Sequence, residues 1–165
     1  MESTISPIEA KEHLKSKKFG ELVRIEFSNK GKIQNEKNDE NIFFDSSIHD
    51  IEDAMWLLDD TPQVVFATSG KINSEFDDFA TILLEFKDNK TIVISSNWVT
   101  SDHQRTCDIV CSHGEISLDL TKDKIDVQNE NDTNSRKIAE AAFLSSQKGI
   151  PIYLDLKRIK KCLTF

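Results

Sequence analysis

Cysteine and proline are scarce in this chain of 165 residues, which contains 3 of each. The cysteines, Cys107, Cys111 and Cys162, are odd in number, and no two of them have the C-x-x-C spacing of zinc and redox motifs. Such a set does not suit a disulfide framework and indicates reduced thiols. We therefore expect a cytoplasmic protein.

Long apolar runs and an excess of basic charge are also lacking. No run approaches the roughly 18–20 apolar residues that span a bilayer, and the first residues, MEST, do not begin a signal peptide. Lysine and arginine number 21 against 29 acidic residues, a net charge of -8, whereas phosphate binding requires a basic face. No G-x-G-x-x-G or P-loop motif is present. The sequence therefore predicts neither a membrane nor a nucleic-acid partner, and no nucleotide phosphate site.

The residues that are present describe one soluble domain. Hydrophobic residues make up 38% and charged residues 30% of the chain, which is typical of a globular protein. We expect a single domain over residues 1–165, with residues 1–6 and 156–165 as flexible or peripheral ends. Hydrophobic periodicity and turn residues predict three helices, at 7–18, 45–58 and 135–148, and strands at 21–33, 63–72, 79–86, 90–99, 105–112, 115–120, 124–128 and 151–156. This order predicts an α+β fold, an open and mostly antiparallel sheet with helices packed on one face.

The stretch FFDSSIHDIEDAMWLL, residues 43–58, places Asp45 and His49 one helical turn apart. The helix has an apolar arc formed by Ile48, Ile51, Met55 and Leu58, and a separate arc formed by Asp45, His49, Asp53 and Trp56. In one interpretation Asp45 caps the helix and His49 packs against the sheet. In the other, a carboxylate beside an imidazole makes a general acid/base. Spacing alone leaves both open.

Two further groups have the residue types of a binding site. Cys107, Cys111 and His113 alternate onto one side of a predicted strand, which would suit zinc, but the spacing matches no standard ligand pattern and buried thiols are the commoner outcome. Trp98 and His103 flank a polar turn in NWVTSDHQR, where an aromatic ring can stack on a sugar or close a strand edge. We predict no metal site.

The order of these segments resembles the C-terminal domain of the glucose–fructose oxidoreductase/inositol dehydrogenase (Gfo/Idh/MocA) family, from about residue 7 to 155. The resemblance is carried by KEHLKSKKFGELVRIEF, FFDSSIHDIEDAMWLL, PQVVFATSGK, DDFATILLEFKDNKTIVISSNWVT, HGEISLDL and IAEAAFLSSQKGIPIYL. Its most specific part is Asp-x-x-x-His followed by Asp-Ile-(Asp/Glu), here Asp45, His49, Asp50 and Glu52. The nearest members are similar to archaeal-type sugar-nucleotide dehydrogenases.

The resemblance implies one half of an NAD(P)-dependent oxidoreductase that acts on sugars or sugar nucleotides. His49 would be the acid/base at the substrate hydroxyl, and Asp45 would orient it or bind a neighbouring hydroxyl. Trp98, His103 and Arg105 would line the substrate pocket. The cofactor, NAD or NADP, would be held by a Rossmann domain that these residues do not include, either missing from the chain or supplied as a separate chain. Without that domain the chain would not transfer hydride.

Two departures from the family keep an alternative open. The glycine-rich approach to the aspartate is replaced by Ile42-Phe43-Phe44, which puts close approach of a substrate in doubt. A short polar link at 128–134 replaces the usual segment before the last helix. The chain could instead be a stand-alone, non-catalytic module that binds a small polar ligand or dimerises. In either case we expect a homodimer or tetramer formed through the open sheet face, to which the alternating residues 79–98 contribute.

Overall fold

The computed structural model describes residues 5–32, 41–122 and 132–154. These residues form three α-helices and one seven-stranded sheet. The helices are α1 (Pro7–Lys15), α2 (Ile48–Leu58) and α3 (Asp132–Lys148), and a π-helical turn, Phe43–Ser47, leads directly into α2. The strands are β1 (Leu22–Lys32), β2 (Val64–Gly70), β3 (Phe79–Glu85), β4 (Thr91–Asn97), β5 (Val99–Cys111), β6 (Gly114–Asp119) and β7 (Ile152–Tyr153).

The sheet has the strand order β6-β5-β1-β4-β3-β2-β7. Only β1 and β4 pair in parallel, with Phe27 opposite Ile94, and every other neighbouring pair is antiparallel. Both edges, β6 and β7, are open within the described residues. The predicted α+β class and the open, mostly antiparallel sheet are therefore confirmed.

Alternation along the strands separates a helix-covered face from an open one. On β3, Ala80, Ile82 and Leu84 are buried, while the residues between them are exposed. Helix α3 covers this face with the predicted stripe Ile138, Ala141, Ala142 and Ser145, all buried. The Ser145 hydroxyl accepts a hydrogen bond from the backbone N–H of Ala67 in β2, at 2.9 Å, and so fixes α3 to the sheet.

Three sequence predictions about strands and helix ends need correction. The residues after Trp98 form no turn but belong to β5, which begins at Val99. Val99 pairs with Lys32 and Gln104 with Lys30 of β1, so the register shifts within this stretch. Alternation along the strand predicted at 21–33 would bury Val23 on one face with Ile25 and Phe27. Val23 is instead exposed, because the pairing register with β5 shifts between Leu22 and Arg24. The helix predicted from Asp45 begins as a π-helical turn at Phe43.

Some predictions fall at or beyond the described residues. The strand predicted at 124–128 and the end predicted at 156–165 lie outside them. Of the end predicted at 1–6, Ile5 packs against the core, and the Ser6 side chain caps α1 in a capping box with Glu9. The N-terminal segment is therefore attached to the domain from Ile5 onward.

Candidate active site

The π-helical turn fixes the position of Asp45 at the beginning of α2. The Asn41 side chain accepts a hydrogen bond from the Phe43 N–H at 3.2 Å and donates one to Asp77, in the β2–β3 loop, at 3.1 Å. No side-chain cap is formed at Ser47, the residue before α2. Asp45 lies inside the π-helical turn, whose N-cap residue is Ile42. The interpretation in which Asp45 caps the helix is therefore wrong. Its carboxylate is exposed and accepts a hydrogen bond from the Ser46 hydroxyl at 3.3 Å.

His49 also faces solvent, with 62% of its side chain exposed, so it is not a packed core histidine. Its Nδ1 atom lies 3.6 Å from Oε2 of Glu52 on the next turn of α2. Among the described residues, no hydrogen bond or ion pair joins Asp45 to His49 directly. The two side chains the sequence singled out are thus available together at one helix start, without being bound to each other.

Trp98 is linked to Asp45 through the Ser46 hydroxyl. Its indole N–H donates a hydrogen bond to the Ser46 hydroxyl at 2.8 Å, and Ser46 in turn donates to Asp45. Below this contact, the buried hydroxyl of Ser47 donates to that of Ser96 on β4 at 2.9 Å. The end of β4 is therefore attached to the π-helical turn. A carboxylate, an imidazole and a largely buried indole lie at the same end of the sheet.

His103 lies on the exposed side of β5 against Gly31 of β1. A β-carbon at Gly31 would come within 3.2 Å of the His103 imidazole, so glycine makes room for this ring. No hydrogen bond or ion pair in the described part of the chain links His103 to Asp45, His49 or Trp98. Its predicted place in the pocket wall remains a prediction.

Arg105 is held by two buried carboxylates of α2. Its Nε donates to Asp50 Oδ1 at 2.8 Å, and its Nη2 lies 2.6 Å from Asp53 Oδ2. Asp50 is fully buried and Asp53 nearly so, which corrects the expectation that Asp53 shares an outer helix face with His49. The guanidinium, predicted for the pocket wall, is directed at the underside of the helix that carries His49.

Burial dominates the electrostatics of this cluster. Desolvation raises the pKa of Asp53 to about 7, and the Arg105 charge opposes that rise. Burial likewise raises the pKa of Asp50, with Arg105 again the main opposing group. Cys107, behind them on β5, has its pKa raised well above the usual value by burial and then by the two aspartates. Two buried carboxylates thus share one cation, Arg105.

The sequence missed this cluster because its partners are far apart in the chain. Asp50 and Asp53 lie one turn apart on α2, a spacing common on exposed helix faces, and Arg105 lies more than 50 residues later in a strand. The signal that could have found them is the helical spacing of the buried residues. Asp50 directly precedes Ile51 and Asp53 directly precedes Ala54, and both of these apolar residues are fully buried. A charged pair amid core positions requires a buried partner of opposite charge.

The segment Ile42-Phe43-Phe44, which stands where the resemblance implied a glycine-rich approach, packs against the core. Ile42 and Phe43 are fully buried, and the Phe43 ring meets Phe143 of α3 edge to face at 5.9 Å between centroids. This packing fixes the π-helical turn against α3. The departure from the family pattern therefore has a structural role at the base of the site.

The other candidates from the sequence have structural explanations. Cys107 and Cys111 are free, buried thiols on β5, as the commoner interpretation predicted, while His113 is exposed in the β5–β6 turn. No group of three or more potential metal ligands occurs within residues 5–32, 41–122 and 132–154. None of the helices in these ranges has the length and apolar character needed to cross a membrane.

Comparison with known proteins identifies the family that the sequence resembles. A family model described as GFO/IDH/MocA C-terminal domain matches residues 8–117, more than half of the chain. No curated protein matches the sequence at a significant level.

Solved structures share the fold at low sequence identity. A myo-inositol dehydrogenase from Corynebacterium glutamicum has a TM-score of 0.80 at 15% identity, with 91% of this chain and 61% of that one covered. Myo-inositol 2-dehydrogenase from Lactobacillus plantarum has 0.76 at 14%, covering 91% and 62%. GenD2 from gentamicin A biosynthesis, in complex with NAD, has 0.73 at 15%, covering 92% and 61%. The chain thus spans less than two thirds of each of these structures.

Proposed function

Because the chain belongs to the GFO/IDH/MocA C-terminal domain family, we propose that it is the substrate-binding part of an NAD(P)-dependent oxidoreductase acting on a sugar or sugar nucleotide. The observation that carries the proposal is the exposed pair Asp45 and His49 at the start of α2, beside Trp98. The names of the solved relatives, inositol dehydrogenases among them, support a polyhydroxylated substrate.

Each residue of the pair has a distinct task in this proposal. His49 accepts the proton of the substrate hydroxyl as the carbinol carbon is oxidised, because a neutral imidazole is a base near physiological pH. Asp45, exposed and held by Ser46, accepts a hydrogen bond from a neighbouring hydroxyl of the substrate. Trp98, which is 9% exposed, would support this side of the site through its hydrogen bond to Ser46. The places of His103 and Arg105 in the pocket wall stay predictions. Arg105 contacts α2 through its ion pairs with Asp50 and Asp53.

The described residues do not fit a dinucleotide. The chain has no glycine-rich phosphate loop, and it has 5 glycines in all. Their positions serve turns and close packing, as at Gly20 and Gly149, which adopt positive φ. A bound nicotinamide would supply the hydride acceptor, so we assign it to a separate Rossmann domain. This chain on its own would be inactive.

The test is a hydride-transfer assay with a panel of polyols and sugar nucleotides. The chain together with a dinucleotide-binding domain of this family should reduce NAD or NADP, and neither half should do so alone. Turnover by the combination, followed by absorbance of the reduced nicotinamide, would support the proposal. A combination that binds both ligands without turnover would refute it.

A second candidate function is a non-catalytic module that dimerises, and the open sheet face favours self-association in either case. Phe66, Leu83 and Val93 lie directly opposite one another on β2, β3 and β4, on the face away from the helices. Leu83 is 39% exposed, and Phe79, four residues earlier on the same face of β3, is similarly exposed. A contiguous apolar patch of this kind suits the same patch on a second copy of the chain.

Introducing a charge into this patch should prevent self-association. Leu83→Glu places a carboxylate between Phe66 and Val93, and burying that charge in a symmetric interface would cost several kcal/mol. We expect sedimentation equilibrium to show a dimer or tetramer for the native chain and a monomer for the variant. Ile8→Glu is the control, because Ile8 is also an exposed apolar residue, at 65% exposure, but lies on α1. A native chain that is monomeric at about 100 µM, well above typical dissociation constants, would refute the interface.

A further inference from the structure

Glu52 is the acidic side chain that the structure places closest to the His49 imidazole. Its Oε2 lies 3.6 Å from Nδ1 of His49, and the side chain is three-quarters buried, at 25% exposure. Asp45, on the other side of His49 in the sequence, is engaged by Ser46 instead. Asp50, the next residue after His49, is turned beneath the helix and held by Arg105. Glu52 is therefore the carboxylate free to interact with His49.

Helix α3 holds Glu52 in place from the opposite side. The buried hydroxyl of Ser135 donates a hydrogen bond to Glu52 Oε1 at 3.0 Å. Ser135 lies in the first turn of α3, where the positive end of the helix dipole favours a nearby carboxylate. One oxygen of Glu52 is thus fixed to α3 and the other is directed at His49. A carboxylate held at one oxygen loses little further freedom when its second oxygen binds a partner.

We propose that Glu52 is a positioning residue for His49. It accepts the Nδ1–H of the neutral imidazole, which selects the tautomer whose Nε2 lone pair points away from α2. That nitrogen then takes the substrate hydroxyl proton, and Glu52 stabilises the imidazolium that forms. Rotation of the exposed His49 ring shortens the separation of 3.6 Å to hydrogen-bond distance. This inference rests on the proposed function and adds a residue that it does not require.

The tautomer of His49 can be measured directly in this chain. The chain contains 4 histidines, so the ring resonances of His49 are identified by their loss in His49→Gln. Nitrogen-15 shifts of the labelled imidazole are recorded at about pH 9, where imidazoles are neutral. We expect Nδ1 of His49 to carry the proton in the native chain. A His49 ring protonated at Nε2 would overturn the proposal.

Variants separate positioning from folding. Glu52→Ala removes the acceptor, and we expect the proton to move from Nδ1 to Nε2 of His49. Glu52→Gln keeps an acceptor oxygen and should restore much of the native tautomer. The control is Glu140→Ala, which removes a carboxylate of α3 that pairs with Arg136 and should leave His49 unchanged. A tautomer that does not respond to Glu52→Ala, in a chain whose circular dichroism is native, would also overturn the proposal.

The outcome is independent of turnover. If His49 is not the acid/base, the hydride-transfer assay shows it while the tautomer still follows Glu52. If Glu52 does not position His49, the tautomer is insensitive to Glu52 while turnover still depends on His49. Failure of the inference and failure of the proposed function are therefore distinguishable.

Discussion

Replacing His49 by alanine should lower kcat of the assembled dehydrogenase by about 10²–10⁴-fold, the usual contribution of a general acid/base. The His49 ring is exposed at the start of α2, so its removal opens no cavity in the core. We expect KM to change far less than kcat, because the hydroxyl proton is transferred in the transition state and not on binding. Steady-state reduction of NAD or NADP by the chain combined with a dinucleotide-binding domain measures both constants.

His113→Ala is the matched control for that experiment. His113 is also exposed but lies in the β5–β6 turn, at the end of the sheet where Leu22 of β1 pairs with Cys111. Trp98 follows β4 at the opposite end of the sheet. Its loss should leave both constants within about twofold, since it touches no group of the site. A His49→Ala enzyme with native kcat would refute the assignment of His49 as acid/base.

Replacing Arg105 by methionine should lower the free energy of unfolding by about 3–5 kcal/mol at neutral pH. Methionine keeps most of the side-chain volume but removes the one cation between Asp50 and Asp53, and an unpaired buried carboxylate carries this cost. Urea denaturation of the two chains measures the difference. Arg136→Met serves as control, since Arg136 pairs with Glu140 at 3.5 Å on the surface of α3 and should change stability by less than about 0.5 kcal/mol.

The same variant should show a pH dependence of defined sign. The pKa of Asp53 is raised from 3.8 in the unfolded reference to about 7 in the folded chain. The folded state therefore binds more protons, and the contribution of Asp53 to stability falls as pH rises from about 4 through 7. Without Arg105 both aspartates must hold protons to stay buried. The loss in Arg105→Met should be larger at about pH 8 than at about pH 5, and an equal loss at both values would contradict a buried ionic cluster.

Regular periodicity made much of the fold predictable. In α3 the stripe of Ile138, Ala141, Ala142 and Ser145 repeats at helical spacing, and all four are buried. In β3 the alternation of Ala80, Ile82 and Leu84 with exposed residues sets the strand and its buried face. These signals are local, so one sequence suffices to read them.

The features that the sequence did not predict depend on contacts between residues far apart in the chain. The mostly polar stretch from Val99 to Gln104 reads as a turn, but it is extended within β5, because Val99 pairs with Lys32 and Gln104 with Lys30 of β1. Asp53 shares a helical arc with His49, yet it is buried because Arg105 arrives from β5 to meet it. The π-helical turn depends on Asn41 reaching Asp77 in a distant loop. Each depends on a residue more than 35 positions away.

The candidate site was predictable in part for the same reason. The spacing of Asp45 and His49 placed both at one helix start, and the structure shows them exposed there. The interaction of His49 with Glu52, and of Glu52 with Ser135, needed α3 to be placed against α2. Helical spacing alone places Glu52 one turn from His49 within α2, but it does not show that Ser135 holds Glu52.

The most direct test of the proposed function is the transfer of deuterium from a labelled substrate. A polyol or sugar nucleotide carrying deuterium on the carbinol carbon is incubated with oxidised nicotinamide cofactor and the chain, a dinucleotide-binding domain, or both. Mass spectrometry then measures deuterium in the reduced nicotinamide. We predict deuterium in the cofactor only when both are present, and its loss in His49→Ala. Transfer by the chain alone, or none from a combination that binds substrate and cofactor, would contradict a substrate-binding domain that relies on a separate cofactor domain.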